Sequence, residues 1–236
     1  MHPLMPSGPM DEQPEGLSYS GVLVRARRED VLRQLADLRF SGWLGPQEGD
    51  WVGVVPLAET GPVAAGRMEL EGLGAQLAQR LESTAISASV LSDRVLRLSA
   101  WDGPESLLRY VSDPSFGLPD AEDVFPEPEG VEGAPALATR LGRPECSDEI
   151  VERLSEVLDE DSEIESERLA SVLSMLELPR WMVAASSLPR DVPGGPGAKE
   201  FLRLGGGRVG MAGLAGAWAF RLRRRATRRR GAAQTA

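Results

Sequence analysis

Between Ile86 and Val111 apolar and polar residues alternate in three runs, Ile86 to Leu91, Arg94 to Trp101 and Ser106 to Val111. Two turn-forming clusters, Ser92-Asp93 and Asp102-Gly103-Pro104-Glu105, separate them. Period-two alternation broken by such clusters predicts antiparallel strands joined by hairpins. Arg94, Leu96, Leu98 and Ala100 fall on one strand face, and Val95, Arg97, Ser99 and Trp101 on the other. Neither face is wholly apolar, which predicts a meander covered on one side and partly wet on the other.

Elsewhere the period changes. Gly21 to Ala26 and Trp51 to Pro56 read as strands. Val31, Leu32, Leu35 and Leu38 stand at helical spacing over Glu29 to Phe40, with Glu29 and Asp30 placed where the helix dipole favours acids. Leu70, Leu73, Leu77 and Leu81 predict a second helix, although Gly72 and Gly74 weaken its first turn. Further helices are predicted over Ala134 to Leu141, over Asp148 to Leu158 with Ser147 as cap, and over Glu163 to Leu176. Gly42 to Asp50 reads as a turn-rich loop, Ser112 to Gly133 as an acidic surface loop, and Trp181 to Ala185 as a last strand. The fold expected is α+β: a mostly antiparallel sheet with a central meander, about 86–111, covered by helices, and disordered termini. The organisation expected is a leader over 1–18, one domain over 19–188, a Pro/Gly-rich linker over 189–208, and an apolar segment with an Arg-rich tail over 209–236.

Composition narrows the chemistry. The one histidine, His2, lies in the proline-rich leader, and Cys146 is the one cysteine. Ser–His–Asp and Cys–His nucleophiles therefore lack their base, and a zinc site lacks its ligands. A single cysteine fits a reducing cytoplasm, and its acidic neighbours disfavour a thiolate. Lys199, the one lysine, has no evident apolar pocket to lower its pKa. Gly205 to Gly210 matches G-x-G-x-x-G, but no acid follows Glu200, so the dinucleotide reading is rejected. Asp159, Asp161, Glu163 and Glu165 alternate like calcium ligands, yet Ile164 and Ala170 stand where the turn glycine and closing Glu belong. No cofactor, metal ligand or catalytic residue is assigned. Trp43, Trp51, Trp101 and Trp181 are read as core anchors rather than stacking platforms.

The charge is divided. Arg221, Arg223, Arg224, Arg225, Arg228, Arg229 and Arg230 lie within ten residues that hold no acid, leaving 19 basic against 36 acidic residues, about −17, on the rest of the chain. These seven are the candidate contacts for an anionic partner. The apolar stretch Val209 to Phe220 before them is too short to span hydrocarbon. The reading is a non-enzymatic cytoplasmic binding or regulatory protein, of adaptor or immunity type, with a protein partner. The alternatives are a carboxylate-dependent hydrolase or transferase with a Trp-lined pocket, and an accessory touching an anionic membrane surface or nucleic acid through the tail. No transmembrane span is expected, and no motif ties the chain to a named family.

Overall fold

The computed structural model describes residues 17–57, 61–116, 127–157, 164–183, 185 and 188–205. The fold is α+β, built on one seven-stranded antiparallel sheet. Its strands are β1 (Tyr19–Arg25), β2 (Gly42–Glu48), β3 (Trp51–Pro56), β4 (Thr84–Leu91), β5 (Val95–Asp102), β6 (Glu105–Val111) and β7 (Leu202–Leu204), in the spatial order β6-β5-β4-β1-β3-β2-β7. With α1 (Arg28–Asp37) and α2 (Leu70–Leu81) the first four strands run β-α-β-β-α-β in the order β4-β1-β3-β2, a split βαβ unit. The meander extends that unit on one side and β7 on the other.

Two cores follow from alternation along β1, the middle strand. Val22 and Val24 face Val31 and Leu35 of α1 and Leu73 and Leu77 of α2. Tyr19 and Leu23 face the second layer, made by α3 (Ala134–Arg140), α4 (Ser147–Ser155) and α5 (Glu165–Met175). A strand buried on both faces reads as a continuous apolar run, as Gly-Val-Leu-Val does. On the meander Leu96, Leu98, Ala100, Leu108 and Tyr110 lie under the second helix layer. Arg97 and Arg109 on the opposite face are exposed, the one-sided wetting that the alternation predicts.

Three local expectations change. The supposed loop Gly42 to Asp50 is strand β2 and a turn, and its glycines are not breakers. A Cβ on Gly42 would meet Phe40 at 2.4 Å and one on Gly45 would meet Trp181 at 2.8 Å, so each marks a close approach. Pro46 sits where the β2–β3 register shifts, a place that needs no ladder donor. Trp181 to Ala185 is not a strand: Trp181 to Val183 form a turn, and the indole lies over Gly45 and Gly53 with Phe201 edge-on at 5.3 Å. The last strand among the described residues is β7, paired with β2 from Leu202↔Leu44 to Leu204↔Gly42, inside the stretch 189–208. Ser147 is the first residue of α4, not its cap; Cys146 holds that position and makes no capping side-chain bond.

No helix among the described residues is long and apolar enough to cross a membrane.

Candidate functional site

The pairings give the sheet two ends. Arg25, Trp51, Thr84, Asp102 and Glu105 lie at one, and Tyr19, Pro56, Leu91, Val95, Val111 and Leu204 at the other. A cleft of about 810 Å³ opens at the first end, between the β1–α1 junction, the β2–β3 turn, the α2–β4 turn and α3. Four of its lining side chains are arginines, Arg25, Arg27, Arg28 and Arg140, against Glu29, Asp50 and Glu82. With Asp30 and Asp102 paired to two of these arginines, the rim carries both signs of charge side by side.

The junction is fixed by two polar side chains. Gln47 reaches from β2 to accept the Arg28 backbone N–H at 2.8 Å, filling an orphan donor of the first turn of α1. Its amide also donates to Ala26 O at 3.2 Å and Gly49 O at 3.0 Å. Arg28 donates from Nε to Gly45 O and from Nη2 to Glu200 O, both at 2.8 Å, so its side chain ties the start of α1 to β2 and to the turn before β7.

The other three arginines are held differently. Arg25 pairs with Asp50 at 3.2 Å, Arg27 with Asp30 at 3.0 Å and Arg140 with Asp102 at 2.7 Å. Their side chains are 44%, 82% and 50% exposed. Surface pairs of this kind are worth about 0–1 kcal/mol, so an incoming carboxylate can replace the partner at small cost. Chemically the cleft is a set of planar bidentate donors on a rigid rim.

The sequence brings Arg25, Arg27 and Arg28 together within four residues, a signal easily lost when arginine supplies 25 of 26 cations. Arg140 joins them only through the fold. The seven tail arginines, Arg221 to Arg230, lie outside the described residues, as do Gly206 to Gly210 of the glycine motif and Asp159, Asp161 and Glu163 of the calcium-like spacing. Glu165, the last of that set, is buried and turned to Arg168.

Among the described residues two carboxyls are pushed above their ordinary range, and neither lines the cleft. Burial raises Glu48, helped by Glu200 and opposed by the Trp181 indole. That indole N–H and Glu48 Oε1 are both enclosed; they attract each other without an aligned hydrogen bond. Burial likewise raises Glu165, opposed by Ser112 and Arg168. These two acids sit at opposite ends of the sheet and share no site. Trp43, Trp101 and Trp181 are buried, with Trp181 packed on glycines and Phe201. Cys146 is half-buried, its Sγ 3.8 Å from Arg143 Nη2, a cationic neighbour that its acidic sequence context does not reveal. Among the described residues no group of three or more His, Cys, Asp or Glu is placed to hold a metal ion.

Compared with protein-family models, with curated proteins and with solved structures, the chain matches none.

Proposed function

We propose that this is a non-enzymatic binding protein of the cytoplasm, and that it recognises an acidic segment of a protein partner in the arginine-lined cleft. The observation that carries the reading is the trio Arg25, Arg27 and Arg140, exposed and held only by exchangeable surface pairs around an 810 Å³ concavity. Guanidinium forks match carboxylates two bonds at a time, and the fixed backbone beneath them lowers the ordering cost of binding.

The layering favours this over a nucleic-acid reading of the sheet. A split βαβ sheet that stacks bases needs an open face bearing aromatics. Here that face carries α3, α4 and α5, with Tyr19, Trp43 and Tyr110 buried beneath the second layer. The carboxylate-dependent enzyme needs two raised acids in one pocket; among the described residues the two raised acids, Glu48 and Glu165, lie at opposite ends of the sheet.

Calorimetric titration of the full chain with a hexaglutamate peptide tests the proposal. Binding is expected at low salt, weakening as salt rises, and weakening at least tenfold, about 1.4 kcal/mol, in Arg27→Glu/Arg140→Glu. No affinity in the parent protein, or equal affinity in the double variant, overturns it.

A further inference from the structure

We infer that the cleft selects a proline-rich, extended acidic segment whose carboxylates stand three residues apart, one meeting Arg25 and the next Arg140. This spacing rests on the reading of the cleft proposed above.

The strand ladder sets it. Arg25 pairs with Trp51, Val24↔Ala85 places Arg25 opposite Thr84, and Thr84 pairs with Asp102. Trp51, Arg25, Thr84 and Asp102 thus form one row across β3, β1, β4 and β5. Side chains in such a row share a face of the sheet. Here it is the face toward α3, α4 and α5, because Trp51 packs on the core beneath those helices. Arg140 comes to the row from α3, its Nη2 2.7 Å from Asp102 Oδ1. One guanidinium therefore stems from β1, and the other is anchored on β5. These strands are two spacings apart, about 10 Å.

The ground between the two arginines offers an anion little. Thr84 is 1% exposed and donates to Asp102 Oδ1 at 3.2 Å, and the Ser83 hydroxyl donates to Arg25 O. Glu82, in the turn that leads into β4, lines the cleft here; it is exposed and pairs with no cation among the described residues. A ligand carboxylate placed midway meets Glu82 instead of a guanidinium. An uncharged spacer meets no such cost.

Conformation follows from the distance. Polyproline II has three residues per turn and rises about 3.1 Å per residue, so every third side chain returns to one side after about 9 Å. A strand repeats at about 7 Å. A helix brings a side chain back at about 10 Å only after seven residues. So short a helix does not hold its shape alone, and the exposed pairs of this rim are too weak to repay its ordering. A proline-rich segment is extended before it binds. Its first carboxylate replaces Asp50, 71% exposed, on Arg25. Its second joins Asp102 on Arg140, whose guanidinium carries five N–H donors.

The test titrates the full chain calorimetrically with two heptapeptides of one composition and charge. Glu-Pro-Pro-Glu-Pro-Pro-Glu holds the acids three apart, and Pro-Pro-Glu-Glu-Glu-Pro-Pro holds them together. The spaced peptide is expected to bind at least fivefold tighter. Arg25→Gln and Arg140→Gln should each bring it down to the contiguous peptide, whereas Arg27→Gln, off the row, should weaken both alike. Glu82→Gln should favour the contiguous peptide more than the spaced one. Equal affinities, a tighter contiguous peptide, or no binding of either while hexaglutamate binds overturns the spacing and leaves the cleft as a reader of charge alone. If hexaglutamate does not bind either, the cleft reading falls and the spacing falls with it.

Discussion

Arginine is used in opposite ways at the two ends of this sheet. At the cleft end Arg25, Arg27 and Arg140 are exposed, each paired with one acid, Asp50 in solvent and Asp30 and Asp102 more enclosed. At the far end Arg168 is 1% exposed, yet Nη1 donates to Tyr110 Oη at 2.7 Å and lies 3.3 Å from Glu165 Oε1, while Nη2 donates to Glu156 O. Around it Tyr19 Oη donates to Ser166 Oγ at 2.9 Å. The Leu96 N–H donates to Ser112 Oγ at the same distance. Tyr110 is pushed above the ordinary tyrosine range by its burial, despite the guanidinium beside it. The same side chain is thus a fastener where water is excluded and an exchangeable contact where it is not. Burial, and not residue type, decides which.

The largest effect should come from breaking the buried set. Arg168→Leu leaves Tyr110 Oη without its donor and Glu165 as an uncompensated buried acid, an expected loss of about 3–5 kcal/mol in urea unfolding. The loss should shrink as pH falls, because Glu165 can then take up a proton. In the parent protein burial already raises Glu165, against the pull of Ser112 and Arg168. Between the ordinary carboxylate pKa, about 4.3, and the raised folded value, the folded state holds a proton that the unfolded chain has lost. In that window the unfolded state binds fewer protons, so stability falls as pH rises, and it levels off above the folded value. Glu165→Gln should remove this descending segment from the curve of unfolding free energy against pH. An unchanged curve would show that Glu165 binds its proton equally in the folded and unfolded states.

Next comes the support beneath the cleft. Its rigidity resides in close packing below the arginines. A Cβ on Gly53 would lie 2.4 Å from Trp181 Cζ2, and Gly195 and Phe201 also pack against the Trp181 side chain. Gly53→Ala should therefore cost about 1–3 kcal/mol by overpacking, measured by the same unfolding transition. Gly49→Ala, where nothing lies within 4 Å but φ is +55°, separates backbone strain from this clash. If the two cost the same, Trp181 is not the constraint.

The contrast between the ends also explains what could be read from the sequence. Periodicity located β3 and α2 at their observed bounds, and the meander within two residues at its start, because one face of each packs on a continuous core. β2 escaped because Gly42, Gly45 and Pro46 look like turn chemistry; their reason lies in Phe40 nearby and Trp181 more than a hundred residues away. Arg168 sits within an ordinary helical stripe, and nothing local distinguishes it from an exposed arginine at the same spacing. Its partners Tyr110 and Glu156 come from other elements. Of the cleft, the Arg25-Ala26-Arg27-Arg28 cluster was visible, while Arg140 and the capping role of Gln47 depend on how β2 and α3 are laid beside it. Local pattern carries the elements; contacts that need three elements at once do not project onto the chain.

The smallest expected effect on stability is the most telling about the cleft. Arg25→Ala, Arg27→Ala and Arg140→Ala should each change the unfolding free energy by less than about 1 kcal/mol. No acid is shared among the three pairs, although Asp30 also holds Arg33 at 3.1 Å and Asp102 also accepts from Thr84, so the changes should add in the triple variant to within a few tenths of a kcal/mol. The reason is that all three guanidiniums keep much of their hydration, and the released acids keep other partners, Asp50 in water, Asp30 in Arg33 and Asp102 in Thr84. Arg28→Ala is the internal control: its side chain bonds Gly45 O and Glu200 O, so its loss should exceed that of any of the three. A triple variant as stable as the parent but blind to hexaglutamate would assign the three arginines to recognition. A triple variant several kcal/mol weaker would place them with Arg168, as fasteners, and remove the distinction between the two ends.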